Sequence, residues 1–192
     1  RERQSMRTKT EATIEDLYAV EGQAELVNGK IVPLPSHTWP VAIAIGEILY
    51  SLHEFVDRGK RGYALGSTVA YVIDLPHRKA FCPDVALYTG DIMSMKFLEG
   101  APILAVEVRD PDDYGQAAEV RISAKRVDYF AAGTLVVWDV DLLSDDVVRV
   151  YRMENPDEPT IYRRGQVAEA EPAVPGWTMP VDSLFPQAIE KG

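Results

Sequence analysis

Apolar residues recur along the chain with two different periods. Val41, Ile45, Ile48, Leu49 and Leu52 repeat at helical spacing, which predicts a long amphipathic helix over Pro40–Phe55. Pro40 suits its first turn and Gly59 its stop. Ala117–Ala131 predicts a second helix, ended by Gly133. Thr13–Val20 predicts a short one, with Thr13 as N-cap and Asp16 in place of the usual capping-box glutamate.

Between these lie segments with strand character. AELVNGKIVPLP carries Asn28-Gly29 between two apolar runs, a strong local signal for a hairpin. YALGSTVAYVIDLP predicts one or two strands ending at Pro76, and AFCPDVALYTG one more. Asp91–Gly100 reads as a loop with at most a helical turn. APILAVEVRDP is nearly continuous in apolar residues, as suits a central strand buried on both faces. TLVVWDVD is a further strand, DDVVRVYRM and PTIYRR an antiparallel pair, and Gly176–Pro186 a tail anchored by Trp177, Leu184 and Phe185. The order of elements predicts an α/β (mixed α+β) fold: a mixed central sheet, flanking helices and added antiparallel strands at both ends.

The length of 192 residues fits one domain, expected over residues 13–192 behind a flexible lead-in over residues 1–12. That lead-in is charged and lacks the apolar stretch of a secretory signal. No apolar run approaches the roughly 18 residues of a membrane span. A single cysteine, Cys82, excludes an internal disulfide and a cysteine-based zinc site, and a reducing cytoplasm is the expected setting. The net charge of −10 argues against a sequence-independent nucleic-acid coat protein. It leaves room for a metal-dependent site, which is itself acidic before the cation arrives.

Two acids stand where burial is costly. Glu107 lies in the middle of ILAVEV, where a carboxylate must be paired, protonated or bound to a cation. Strand alternation puts Ala105, Glu107 and Arg109 on one face and Val106 and Val108 on the other. Asp84 follows Pro83 among Phe81, Val85 and Leu87. Two hard oxygen ligands on neighbouring strands suit Mg²⁺ or Mn²⁺, with the Val108 carbonyl as a possible third ligand. Arg109 and Lys125, the latter on the following helix, supply positive charge nearby. A metal with a lysine meets most of the needs of phosphodiester cleavage.

Pro83-Asp84 followed by Glu107-x-Arg109 resembles the PD-(D/E)XK nuclease superfamily. The ordered set ELVNGKIV, Pro35-Ser36-His37, CPDVAL, APILAVEVRDPDD, KRVDYFAAGTLVVWDVD, VVRVYR and the PGW…SLFP tail resembles its Uma-type restriction endonuclease branch, over residues 13 to 186. The resemblance implies a restriction-endonuclease-like core and a divalent-metal-dependent endonuclease acting on DNA. It implies Asp84 and Glu107 as the metal pair and Glu25 as an upstream acid assisting the metal or its water. It also implies that Lys125 positions or activates the attacking water, in place of the lysine absent at Arg109, which would stabilise phosphate charge. Arg121 stands where relatives carry an acid. A homodimer is expected, because a two-stranded substrate suits a two-fold pair of sites.

Taken singly, these residues have plainer readings. Asp84 fits a turn after proline, Glu107 a buried salt bridge, Lys125 a solvated helix lysine and Glu25 an exposed hairpin position. His37 reads as a residue leading into the helix with a surface hydrogen bond. The Asp110, Asp112, Asp113 cluster reads as a solvated loop, Cys82 as a small buried strand residue, and Trp138 and Tyr151 as packing. The acidic charge and Arg109 favour an alternative function, a catalytically inactive nuclease-fold module for nucleic-acid binding or protein assembly. A metal-dependent hydrolase of small phosphate esters is a third.

Overall fold

The computed structural model describes residues 11–58, 62–91 and 94–186. Gly59 and most of the lead-in expected over residues 1–12 lie outside the described residues.

The short helix α1 (Ile14–Tyr18) starts at Thr13, whose side chain and backbone exchange bonds with Asp16 in a closed capping box. The hairpin β1 (Ala24–Val27) and β2 (Lys30–Pro33) follows. Asn28 and Gly29 both take positive φ, 50° and 66°, as a two-residue turn matched to strand twist requires. Helix α2 spans Trp39–Asp57 with Pro40 in its first turn, and α3 spans Gln116–Ala132, closed by Gly133 in the left-handed region. The remaining strands are β3 (Tyr63–Gly66), β4 (Tyr71–Val72), β5 (Arg78–Phe81), β6 (Val85–Tyr88), β7 (Leu98–Glu99), β8 (Leu104–Val108), β9 (Val136–Val140), β10 (Val148–Arg152), β11 (Asn155–Tyr162), β12 (Val167–Glu169) and β13 (Thr178–Pro180).

These strands form a six-stranded sheet in the order β11-β10-β9-β8-β6-β3, a five-stranded sheet in the order β2-β1-β5-β4-β7, and the small pair β12-β13. Both larger sheets are mixed: β8 runs parallel to β9, and β4 parallel to β7, while the other pairs are antiparallel. As expected, β8 is central and buried, with β9 and β6 on either side.

Its side chains divide by parity. Leu104, Val106 and Val108 join the core under α2, with Ile48, Leu52 and Trp138. Ala105 faces the other way, into a second cluster with Val137, Tyr129, Phe81 and Tyr71. Trp138 stacks on Trp177 at 4.9 Å, anchoring the C-terminal segment.

Three local expectations change. AFCPDVALYTG is two strands, not one. Pro83 has no N–H for a ladder, and across Cys82-Pro83-Asp84 the chain leaves the five-stranded sheet and enters the six-stranded one. The segment read as a loop over Asp91–Gly100 contains β7, which pairs in parallel with β4. The tail contains β13, paired with β12 in too few residues for any alternation to show.

Candidate active site

The crossover at Cys82–Asp84 brings the two sheets together around one cavity of about 530 Å³, lined by Glu25, Asp84, Glu107, Val108, Arg109 and Lys125 among others. All six residues singled out in the sequence therefore share one space, supplied by β1, the crossover, β8 and α3 with the turn after β8. The register Val85↔Val106 sets Asp84 across from Glu107.

Glu25 is not the exposed hairpin residue that its position suggested. It is buried, and β1 lies inside its sheet between β2 and β5. Its Oε2 accepts from Arg78 Nη1 at 2.6 Å and its Oε1 from the Cys82 amide at 3.0 Å. Burial pushes its pKa up, but Lys125 and Arg78 outweigh that and hold the carboxyl below its ordinary value. Arg78 is fixed in turn by Asp128, at 2.8 Å from Nε.

Lys125 Nζ bridges Glu25 Oε1 at 2.9 Å and Glu107 Oε1 at 2.8 Å. Burial would lower its pKa, yet the two carboxylates win and raise it, so the side chain stays an ammonium. Tyr129, one helical turn on, donates its hydroxyl to the same Glu107 oxygen at 2.5 Å. The pKa of Glu107 is raised to about 7, first by burial, with Asp84 and Glu25 adding to it and Lys125 opposing. Its Oε2 has no protein partner among the described residues.

Asp84 Oδ2 accepts from the Val108 amide at 2.7 Å, so Val108 meets Asp84 through its N–H. Asp84 Oδ1 lies 3.1 Å from His37 Nε2, near enough for an ion pair but without the alignment of a hydrogen bond. His37 Nδ1 contacts Asp110 Oδ2 at 2.7 Å, and Asp110 Oδ1 accepts from the Thr38 amide at 3.0 Å. Asp84 leads in raising the His37 pKa to about 9, with burial opposing and Asp110 adding. His37 thus belongs to the cavity, not to a surface contact, and Asp110 is buried, not solvated. The surviving signal was PSHT leading into a helix, which says where the chain turns but not that β8 ends beside it.

Arg109 is engaged throughout. Nε and Nη2 each bond Asp139 at 2.7 Å, and Nη1 and Nη2 reach Glu119. It ties β9 to the first turns of α3, and its guanidinium is neutralised by two carboxylates.

No group of three or more His, Cys, Asp or Glu side chains that would hold an ion is assembled among the described residues. The donors that are available, Asp84 Oδ1 and Glu107 Oε2, are hard oxygens. Such a pair fits an ion of the Mg²⁺ type, which takes one or two carboxylates and keeps several waters.

A mixed sheet carrying an acid pair and a helix lysine in one cavity defines a restriction-endonuclease-like α/β protein. The chain belongs to the family described as "Uma2: Putative restriction endonuclease", whose model matches residues 13–182. Among solved structures it is similar to a protein from Anabaena variabilis ATCC 29413 described as "a putative nuclease belonging to DUF820". The TM-score is 0.70 at 18% identity, covering 90% of this chain and 97% of that one. No curated protein matches the chain. No helix among the described residues is long and apolar enough to cross a membrane.

Proposed function

We propose that the chain is a divalent-metal-dependent endonuclease hydrolysing DNA phosphodiester bonds. The observation that carries this reading is the meeting of Asp84, Glu107, Glu25 and Lys125, from separate elements, in one cavity.

In this reading Asp84 and Glu107 hold Mg²⁺ or Mn²⁺, which when bound supplies positive charge at the phosphate and acidifies a water. Lys125 stays charged, so it orients the attacking water or a phosphate oxygen by donating to it, and takes no proton itself. Glu25, braced by Arg78, holds the ammonium in place. Tyr129 fixes the Glu107 carboxylate. Arg109 is assigned a bracing role in place of the phosphate-facing one, because its charge is already met by Asp139 and Glu119.

The cavity's own cations do not by themselves attract a polyanion: Arg78, Arg109, Arg121 and Lys125 are each paired with carboxylates, and seven acids share the lining. In this reading the bound divalent cation supplies the positive charge that admits the phosphate. Two copies facing a duplex would place one site on each strand.

The full engagement of Arg109 favours one other reading, a nuclease-fold module that binds nucleic acid without cutting it. Plasmid nicking with Mg²⁺ or Mn²⁺, together with calorimetric metal binding, separates the two. The proposal expects both signals in the wild type and neither in Asp84→Ala. Metal-independent nicking, or nicking that survives Asp84→Ala, would overturn it, and metal binding without nicking of any nucleic acid would favour the module.

A further inference from the structure

We infer that the cavity seats one unpaired nucleotide, its base against an aliphatic wall of Val27, Val32, Leu34 and Ile122, so that single-stranded or locally opened DNA is cut ahead of intact duplex; this rests on the nuclease reading above.

The wall is apolar surface that the fold leaves unused. Side chains along β1 and β2 alternate between the two faces of their sheet. Leu26 and Ile31, paired across the hairpin, turn to one face and enter a hydrophobic cluster with Leu17 and Ala80. Val27 and Val32 turn to the other, and with Leu34 and Ile122 they line the cavity. Among the described residues, none of these four joins any of the three hydrophobic clusters. Val32 is 41% exposed. Apolar side chains kept out of every core and turned into a concave site are the usual lining of a ligand pocket.

Its position selects the ligand. Val32 pairs directly with Glu25, so the two side chains leave the sheet side by side. Ile122 lies one turn before Lys125 on α3. Each end of the Glu25–Lys125 ion pair thus has an aliphatic neighbour facing the same space. A phosphate that reaches Asp84 and Glu107 brings its attached nucleoside to this wall, and a base offers it a flat apolar face. The four side chains carry no donor or acceptor, so they take that face without reading base edges.

Size favours the unpaired form. The cavity holds about 530 Å³, the scale of a small-molecule site, and Glu25 and Asp84 are buried within it. In a duplex the bases are stacked and paired, and one reaches a pocket only by leaving the stack. That cost is smallest where the strand is already open.

Cleavage by the full chain with Mg²⁺ or Mn²⁺ tests this on three substrates: a single-stranded oligonucleotide, its fully paired duplex, and the same single strand with one abasic position. The single strand should be cut about tenfold or more faster than the duplex. Cleavage beside the abasic position should fall about tenfold against the intact strand. Val32→Ser should raise KM on the single strand about tenfold with kcat nearly kept, and Val32→Ile should keep both. Duplex cut as fast as single strand, undiminished cleavage beside the abasic position, or an unchanged KM in folded Val32→Ser would overturn the inference and leave the nuclease reading standing. No metal-dependent cleavage of any of the three would overturn both.

Discussion

The Lys125 ammonium lies 2.8 Å from Glu107 Oε1, and the Tyr129 hydroxyl reaches the same oxygen from the next turn of α3. One helix thus supplies both groups that restrain the acid on β8, in a sheet where that acid would otherwise face Asp84 and Glu25 across a small space.

Replacing Lys125 with Met should abolish nicking while metal still binds. In the proposed mechanism its charge serves the phosphate, and it donates no ligand. Thermal shifts on adding Mn²⁺ check this: a wild-type-sized shift with no turnover is the expected result, since a ligand at 100 times its Kd adds about 2.7 kcal/mol of stability. Turnover that survives would move the cationic role elsewhere.

Tyr129→Phe removes a hydroxyl that donates to a buried carboxylate. A hydrogen bond to a charged group contributes about 1.5–3 kcal/mol, so urea unfolding near pH 8, where Glu107 is ionised, should show a loss in that range. Near pH 5, where Glu107 carries a proton, the loss should shrink.

Arg109→Met should destabilise the fold by about 3–5 kcal/mol, the usual result of leaving a buried partner unpaired. Asp139 is only 2% exposed and is gripped through both oxygens. Adding Asp139→Asn should recover part of the loss. Activity per folded molecule should fall far less than it does in Lys125→Met. An equal fall would restore Arg109 to the phosphate.

Stability should decline as pH rises in two windows. The Glu107 pKa is raised from 4.5 to about 7 on folding, so the native state holds the extra proton; that contribution is complete below about 4.5 and gone above about 7. His37 is raised from 6.5 to about 9, so its contribution is complete below 6.5 and fades through 9. Urea midpoints across pH 4–10 should show Glu107→Gln flattening the first window and His37→Gln the second. Glu25, held below its ordinary value, works in the opposite sense as pH falls.

Much of this arrangement was legible in the chain. The helix at Pro40 and the one closed by Gly133 carry periodicity and caps, and Asn28-Gly29 dictates its turn through local φ preferences. Glu107 was conspicuous because a carboxylate in an aliphatic strand is costly. Glu25 was named through the resemblance but looked exposed when taken singly, and His37 was read as a surface residue, because the burial of both comes from long-range pairing. Nothing near Glu25 in the chain announces Arg78 or Lys125, and nothing near His37 announces Asp84 or Asp110. The strands β7, β12 and β13 are too short to show alternation, and they exist through partners distant in sequence.

Glu25 hangs from one sheet, Glu107 from the other, and a single ammonium spans them. The pocket therefore reports whether the two layers are seated against each other. Gentle denaturant that parts them by even a few ångströms would break the Glu25–Lys125–Glu107 bridge while helices and ladders remain intact, so any activity of the proposed site would be lost well ahead of secondary structure.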